Sequence, residues 1–330
     1  MSAIISVHHL EKVFQVPVFQ PGTIGALKGL FHRQLRTVRA VRDVSFEIGT
    51  GELVGYLGPN GAGKSTTLKI LTGLLVPTRG EVICNGQIPW RERQTYVARI
   101  GAVFGQRTTL WWDLPLIESF DLLRHIYRIP KNRFHQNFTE FRKLLDLDRF
   151  IHTPVRSLSL GQRMRADLAA ALLHDPPLIF LDEPTIGLDV VAKERIREFI
   201  RHINQERSTT VILTTHDLSD VEKLCERVMI IDQGQLLYDG SLSALGARFG
   251  GKRQLLVDFA EEYLRPEING AELMEVSGSR AVYQFDREKL TASELIGRLS
   301  QAYRLRDLEV REPDIEATIR RIYEERLLAR

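Results

Sequence analysis

Nine consecutive residues, Gly58-Pro59-Asn60-Gly61-Ala62-Gly63-Lys64-Ser65-Thr66, fit the pattern GxxxxGK[ST]. The chemistry that needs this pattern is the holding of phosphates. The backbone must wrap the anion with its N–H groups turned inward, and a Cβ at the glycine positions would obstruct that approach. A helix that starts at Lys64 aims its positive end at the same point. Lys64 is expected to neutralise β- and γ-phosphates, and the Ser65 hydroxyl to ligate Mg²⁺, a hard cation that prefers oxygen. A glycine-rich turn that matches by chance would lack the right flanks. Here the apolar run ELVGYL (52–57) reads as a strand entering the loop, and a helical pattern leaves it from Lys64 to about Leu75, stopped by Pro77 and Gly80.

A second constellation lies at LIFLDEPT (178–185). The run 178–181 is continuously apolar, as a strand buried on both faces would be. It delivers Asp182 and Glu183 to its end. Asp182 is placed to hold Mg²⁺ through water, and Glu183 to polarise an attacking water as general base. An acidic pair after a strand is by itself weak, since most such pairs are solvated. Its weight comes from LSLGQ at 158–162, followed by RMRADLAAALL.

With GPNGAGKST, LSLGQ and LIFLDEPT in this order, residues 4–240 resemble the ABC ATPase family. The resemblance implies an α/β P-loop NTPase of ABC type: a mainly parallel sheet core, an antiparallel subdomain, and a helical subdomain at about 107–173. It implies ATP and Mg²⁺ as cofactors. Gln106, in VFGQ, matches the glutamine that reaches Mg²⁺ and the attacking water. His216, in TTHD, matches the histidine on the γ-phosphate. Gly187-Leu188-Asp189 matches the loop that passes between two subunits. Ser159, Gly161 and Gln162 belong to the signature, a helix N-terminus that binds the γ-phosphate held by the other subunit, so the resemblance implies a dimer. Two positions depart from the family pattern. Leu160 stands where glycine is commonest. Phe14 matches the aromatic that stacks on adenine, yet residues 15–39 separate it from Ala40-Val41; packing under the first strand is the other reading.

The elements around these motifs alternate. Residues 4–14 and 40–48 read as strands, the latter alternating apolar and polar, and 114–150 is helix-rich. Strand and helix alternate on to about residue 240, which argues for a largely parallel sheet. Residues 15–39 break the pattern with Pro17, Pro21, Gly22, Gly25 and Gly29. They hold Lys28, Arg33, Arg36 and Arg39 and no acid, as a solvated basic loop or a surface near anionic lipid would. Residues 241–330 read as a small α+β domain: two strands, a helix near 291–302, another strand, and after Pro313 a last helix bearing Ile315, Ile319, Ile322 and Tyr323. The phrasing GPNGAGKSTTLKILTGLL, FGQ…LWWDLP, RSLSLGQRMR and LDEPTIGLD resembles the subgroup that works with ABC-2-type permeases, including drug-resistance and sodium-export relatives, and the α+β domain ending in REPDIEATIRRIYEE resembles the C-terminal extension of those subunits. Its role is open between dimer support, regulation and plain stabilisation. In RTTLWWDLP, the adjacent Trp111 and Trp112 leave docking and packing equally open.

Composition bounds the rest. The chain has 330 residues, 43% hydrophobic and 26% charged, with a formal net charge of +3, the profile of a globular protein with no dominant field. No run approaches the length a membrane span needs, and no signal peptide is visible at Met1–Ile5. The expected place is the cytoplasm, at the inner face of the membrane through permease subunits. Cys84 and Cys225 have no metal or redox spacing and read as reduced structural residues. The reading that results is an ATPase subunit of an ABC-2-type exporter, working as a homodimer with membrane permeases. An importer ATPase and a non-transport ABC protein are the alternatives. A nucleic-acid partner is not expected, because the chain has one phosphate loop and one signature and carries neither coiled coil nor zinc module between them.

Overall fold

The structure is a computed structural model and describes residues 3–17, 35–105, 107–249, 252–286 and 289–311, with 318, 319 and 322. It divides into two units, Met1–Asp239 and Gly240–Arg330.

In the first unit, β1 (Ala3–Pro17) and β2 (Leu35–Gly49) form an antiparallel pair. Along β2, Val44, Phe46 and Ile48 are buried while Asp43, Ser45 and Glu47 are exposed, the period of a half-buried strand. β3 (Leu53–Leu57) leads to helix α1 (Lys64–Leu71), then come β4 (Arg79–Cys84), α2 (Arg93–Val97) and β5 (Ile100–Phe104). Helices α3 (Leu116–Ile126), α4 (Lys131–Leu144) and α5 (Leu160–Leu172) follow, with Phe120, Phe134 and Phe138 packed between α3 and α4. Then β6 (Leu178–Asp182), α6 (Val190–Arg207), β7 (Thr210–Thr214), α7 (Leu218–Leu224), β8 (Arg227–Asp232) and β9 (Gln235–Ser241) complete the sheet.

The order in the six-stranded sheet is β5-β6-β7-β3-β8-β9, and the pairs from β5 through β8 are parallel. Leu178, Ile179, Phe180 and Leu181 of β6 are fully buried, as their unbroken apolar run requires. The three-stranded sheet has the order β2-β1-β4. These are the parallel core, antiparallel sheet and helical segment that the resemblance implies.

Three expectations change. Residues 15–17 and 35–39 do not leave the sheet. They extend β1 and β2, with Phe14 opposite Val38 and Pro17 opposite Leu35. Helix α1 ends at Leu71 rather than near Leu75, because Gly73 turns at φ +74°, where an added Cβ would meet the Pro89 carbonyl at 2.5 Å. The second unit has three strands before its helix, not two. After α8 (Leu242–Phe249), the strands β10 (Arg253–Phe259), β11 (Ala271–Ser277) and β12 (Arg280–Phe285) precede α9 (Ala292–Ala302) and β13 (Leu305–Arg311), in sheet order β11-β12-β10-β13. Leu295 and Leu299 of α9 share a core with Leu255, Val257, Tyr283 and Phe285. Of the last helix, Thr318, Ile319 and Ile322 are described and buried; Ile315 and Tyr323 lie outside the described residues.

Both cysteines are free and buried, and burial pushes their thiols up, that of Cys84 to about 12. Neither carries thiolate at neutral pH.

Candidate active site

β3, β7 and β6 are neighbours in the sheet, so their carboxyl ends open at one place, where ligands of open parallel sheets bind. The loop Gly58–Gly63 leaves β3 there. An added Cβ at Gly58 would lie 2.4 Å from the Ile231 carbonyl, and one at Gly63 2.4 Å from that of Ala40. Gly63 turns at φ +110° as the residue before α1, and Gly61 at φ +82°. The loop is thus clamped between β2 and β8 and takes a backbone path open to glycine. Pro59, Asn60 and Gly61 are exposed, Ala62 is buried beneath them, and Ser65 and Thr66 stand in the first turn of α1, Ser65 exposed.

Lys64 is 6% exposed, and its ammonium donates to the carbonyls of Gly58 at 2.5 Å and Pro59 at 3.2 Å. Burial lowers its proton affinity, while Glu183 and Asp182 act in the opposite sense. The loop lysine and the two carboxylates therefore share one electrostatic site.

Asp182 ends β6, opposite Phe104 of β5 and Thr214 of β7, and accepts the Thr214 hydroxyl at 2.6 Å. Glu183 follows at φ +59° and donates its N–H to the Thr214 carbonyl at 2.9 Å. Its carboxylate lies 2.8 Å from His216 Nε2, just past the end of β7. Burial raises the Glu183 pKa, His216 and Lys64 pull it back, and Asp182 adds to the rise. A carboxylate whose pKa is raised toward the working pH is a better base. Gln106 lies outside the described residues. Its flanks are placed: Gly105 N–H donates to the Asp182 carbonyl at 2.7 Å, and Arg107 N–H to that of Phe104 at 2.9 Å.

Ser159 caps α5. Its hydroxyl accepts Gln162 N–H at 3.3 Å and its own N–H donates to the Gln162 side chain at 2.8 Å, a capping box. This leaves the first N–H groups of the helix, those of Leu160 and Gly161, without helical partners. The Leu160 side chain turns to Gly187, where an added Cβ would lie 3.1 Å from it, so it packs on the chain's own Gly187-Leu188-Asp189 loop. Asp189 caps α6 by accepting Ala192 N–H at 2.8 Å. Phe14 is half-buried, with the Lys12 ammonium 5.1 Å from its ring centre. Its pairing with Val38 returns it to within two residues of Ala40, whose carbonyl abuts Gly63.

One cluster went unread in the sequence. Asp220 is fully buried and pairs with Arg197 of α6 at 2.5 Å. It also accepts the hydroxyls of Thr185 and Thr215, the latter at 3.1 Å. Thr185 follows Glu183 by two residues and Thr215 precedes His216, so the pair braces both halves of the Glu183–His216 contact. In HDLSDVEKL an acid on a short helix carries no signal that separates it from a surface carboxylate.

A P-loop with a carboxylate pair and a histidine at the ends of adjacent parallel strands defines a nucleoside-triphosphate hydrolase site. The family model "ABC transporter" matches residues 41–186. NatA, an ABC transporter ATP-binding protein of Bacillus subtilis, is 34% identical over 215 residues, 65% of this chain and 87% of that one. The linearmycin resistance ATP-binding protein LnrL of the same organism is 31% identical over 284 residues, 84% of this chain and 91% of that one. The methionine import ATP-binding protein MetN 2 of Enterococcus faecalis is 32% identical over 220 residues, 66% and 64% of the two chains. Among solved structures, the dimeric post-hydrolysis cassette MJ0796 bound to ADP and Pi superposes with a TM-score of 0.59 at 29% identity, over 72% of this chain and 98% of that one. The chain belongs to the ABC transporter ATP-binding proteins: it binds ATP and is the ATPase subunit of a transporter.

Proposed function

We propose that this subunit drives an ABC-2-type exporter by ATP-dependent closure of a homodimer, docked through permease subunits on the inner face of the membrane. The carrying observation is the 2.8 Å contact of Glu183 with His216 beside Lys64, Asp182 and the phosphate loop. In this reading Lys64 and the loop N–H groups from Gly58 to Thr66 hold the β- and γ-phosphates. Glu183 takes the proton of the attacking water, and His216 orients Glu183 and meets the γ-phosphate. Phe14 stacks on the adenine. Ser159, Gly161 and Gln162 present the α5 N-terminus to the nucleotide of the partner subunit, and the Asp189 loop lies between the two.

The donors fit Mg²⁺. Asp182 and the exposed Ser65 hydroxyl are hard oxygen donors of the kind Mg²⁺ takes. The described residues hold no group of three or more His, Cys, Asp or Glu that could hold a metal ion. Mg²⁺ in such a site keeps waters and shares the phosphate oxygens of its nucleotide.

Export is supported by where the likenesses run. The resistance protein matches over 284 residues, beyond the ATPase unit, whereas the import protein matches over 220. No described helix is long and apolar enough to cross a membrane.

The test is Glu183→Gln. It keeps the side-chain shape and removes the base. It is expected to bind ATP, lose hydrolysis by two or more orders of magnitude, and elute as a dimer with ATP but not with ADP. Wild-type turnover in this variant sinks the role given to Glu183, and an ATP-independent monomer sinks the closed dimer.

A further inference from the structure

The segment after Gln106 is held from one face of α5. Asp167 is 5% exposed in the middle of that helix. Its Oδ1 accepts the Thr108 hydroxyl at 2.8 Å and the Thr109 N–H at 3.1 Å. The Thr108 hydroxyl in turn accepts the N–H of buried Leu110 at 3.1 Å. One turn earlier on α5, the Arg163 guanidinium lies 5.6 Å from the Trp112 ring centre. On the near side of Gln106, the Gly105 N–H holds the Asp182 carbonyl. Gly105 is therefore tied to the strand end that carries Asp182, and residues 108–112 to the helix that Ser159 caps.

A carboxylate in the middle of a helix and out of water needs an explanation. Burial raises its pKa to about 6, and its two hydrogen bonds and the charge of Arg163 only partly offset this. An apolar residue of similar size would fill the space without that loss. What the carboxylate adds is geometry. One oxygen receives a hydroxyl and the next backbone amide together, which fixes the 108–109 backbone against the helix.

We propose that Asp167 is a positioning residue that locks the segment following Gln106 to the signature helix, so that seating of Ser159 on a nucleotide in the partner subunit sets the segment beside the chain's own Asp182. The two ATP sites of the dimer are coupled through this latch. The inference rests on the dimer reading above.

The experiment compares the ATP dependence of hydrolysis by the purified wild-type chain, Asp167→Ala, Thr108→Val, the double variant and Asp167→Asn, together with their melting temperatures. The wild type is expected to be cooperative in ATP. Asp167→Ala should lower kcat on the order of tenfold, the size of coupling within one hydrogen-bonded network. Its Hill coefficient should fall toward one, with ATP affinity in the Glu183→Gln background unchanged. Thr108→Val should do the same, and the double variant should lose no more. Asp167→Asn should keep the wild-type behaviour, because its amide oxygen can take the place of Oδ1 and accept from both the Thr108 hydroxyl and the Thr109 N–H. Asp167→Ala with wild-type kcat and Hill coefficient overturns the latch, even if its melting temperature falls. Asn behaving like Ala overturns the hydrogen-bonded account. A wild type without cooperativity, whose Glu183→Gln form stays monomeric with ATP, overturns the dimer reading instead.

Discussion

Glu183 stands in the left-handed region at φ +59°, a conformation that costs a non-glycine residue about 1–3 kcal/mol. The turn aims its carboxylate from the end of β6 across to His216 at 2.8 Å. Asp167 bears a cost of another kind. Its folded pKa of about 6 lies above the 3.8 of a free carboxyl. The native state therefore holds the proton more tightly, and stability present below about pH 4 is lost as pH rises through about 6. Asp167→Asn is expected to gain about 3 kcal/mol over wild type between about pH 4 and pH 7. Urea denaturation at the two pH values measures it, and a difference that does not change with pH sinks the buried-charge account. Lys64, Ser65, Asp182 and Glu183 were legible because their chemistry fixes their spacing along the chain. Asp167, Asp220 and Arg197 were not, because what marks them is burial, and an acid or arginine in an amphipathic helix looks like its solvated neighbours.

Between elements, the Arg197–Asp220 pair ties α6 to α7 and, through Thr185 and Thr215, to the ends of β6 and β7. Breaking a buried pair leaves a charge without its partner. Arg197→Met should cost about 3–5 kcal/mol, and Arg197→Met with Asp220→Leu should recover most of it. Guanidinium denaturation checks this; a double variant no more stable than the single would mean that the hydroxyl contacts, not the charges, dominate. The elements read from sequence were those with an unbroken pattern, such as β6 with its four buried apolar residues. The outer part of the β1–β2 pair escaped because Val16, Leu35 and Val38 are exposed, so pairing rather than a buried face makes it a strand. The third strand of the second unit left little trace because the turn between β11 and β12 is only Gly278-Ser279, between paired Ser277 and Arg280, with Gly278 at φ +59°.

For the molecule as a whole, the exporter reading predicts company. Purification from native membranes in mild detergent is expected to bring multi-span permeases with this subunit. Ribosomes or DNA in their place would overturn the transport reading, and permeases of importer type would redirect it. Pro17 and Leu35 are register partners at the end of a hairpin whose inner rungs set Phe14 near the phosphate loop. Whatever the chain does between them begins and ends at one point. Lengthening such an excursion adds only the slow logarithmic cost of closing a longer loop. A fluorophore or an affinity tag spliced between those two residues is therefore expected to leave the Phe14 register intact while the turnover of the subunit is watched.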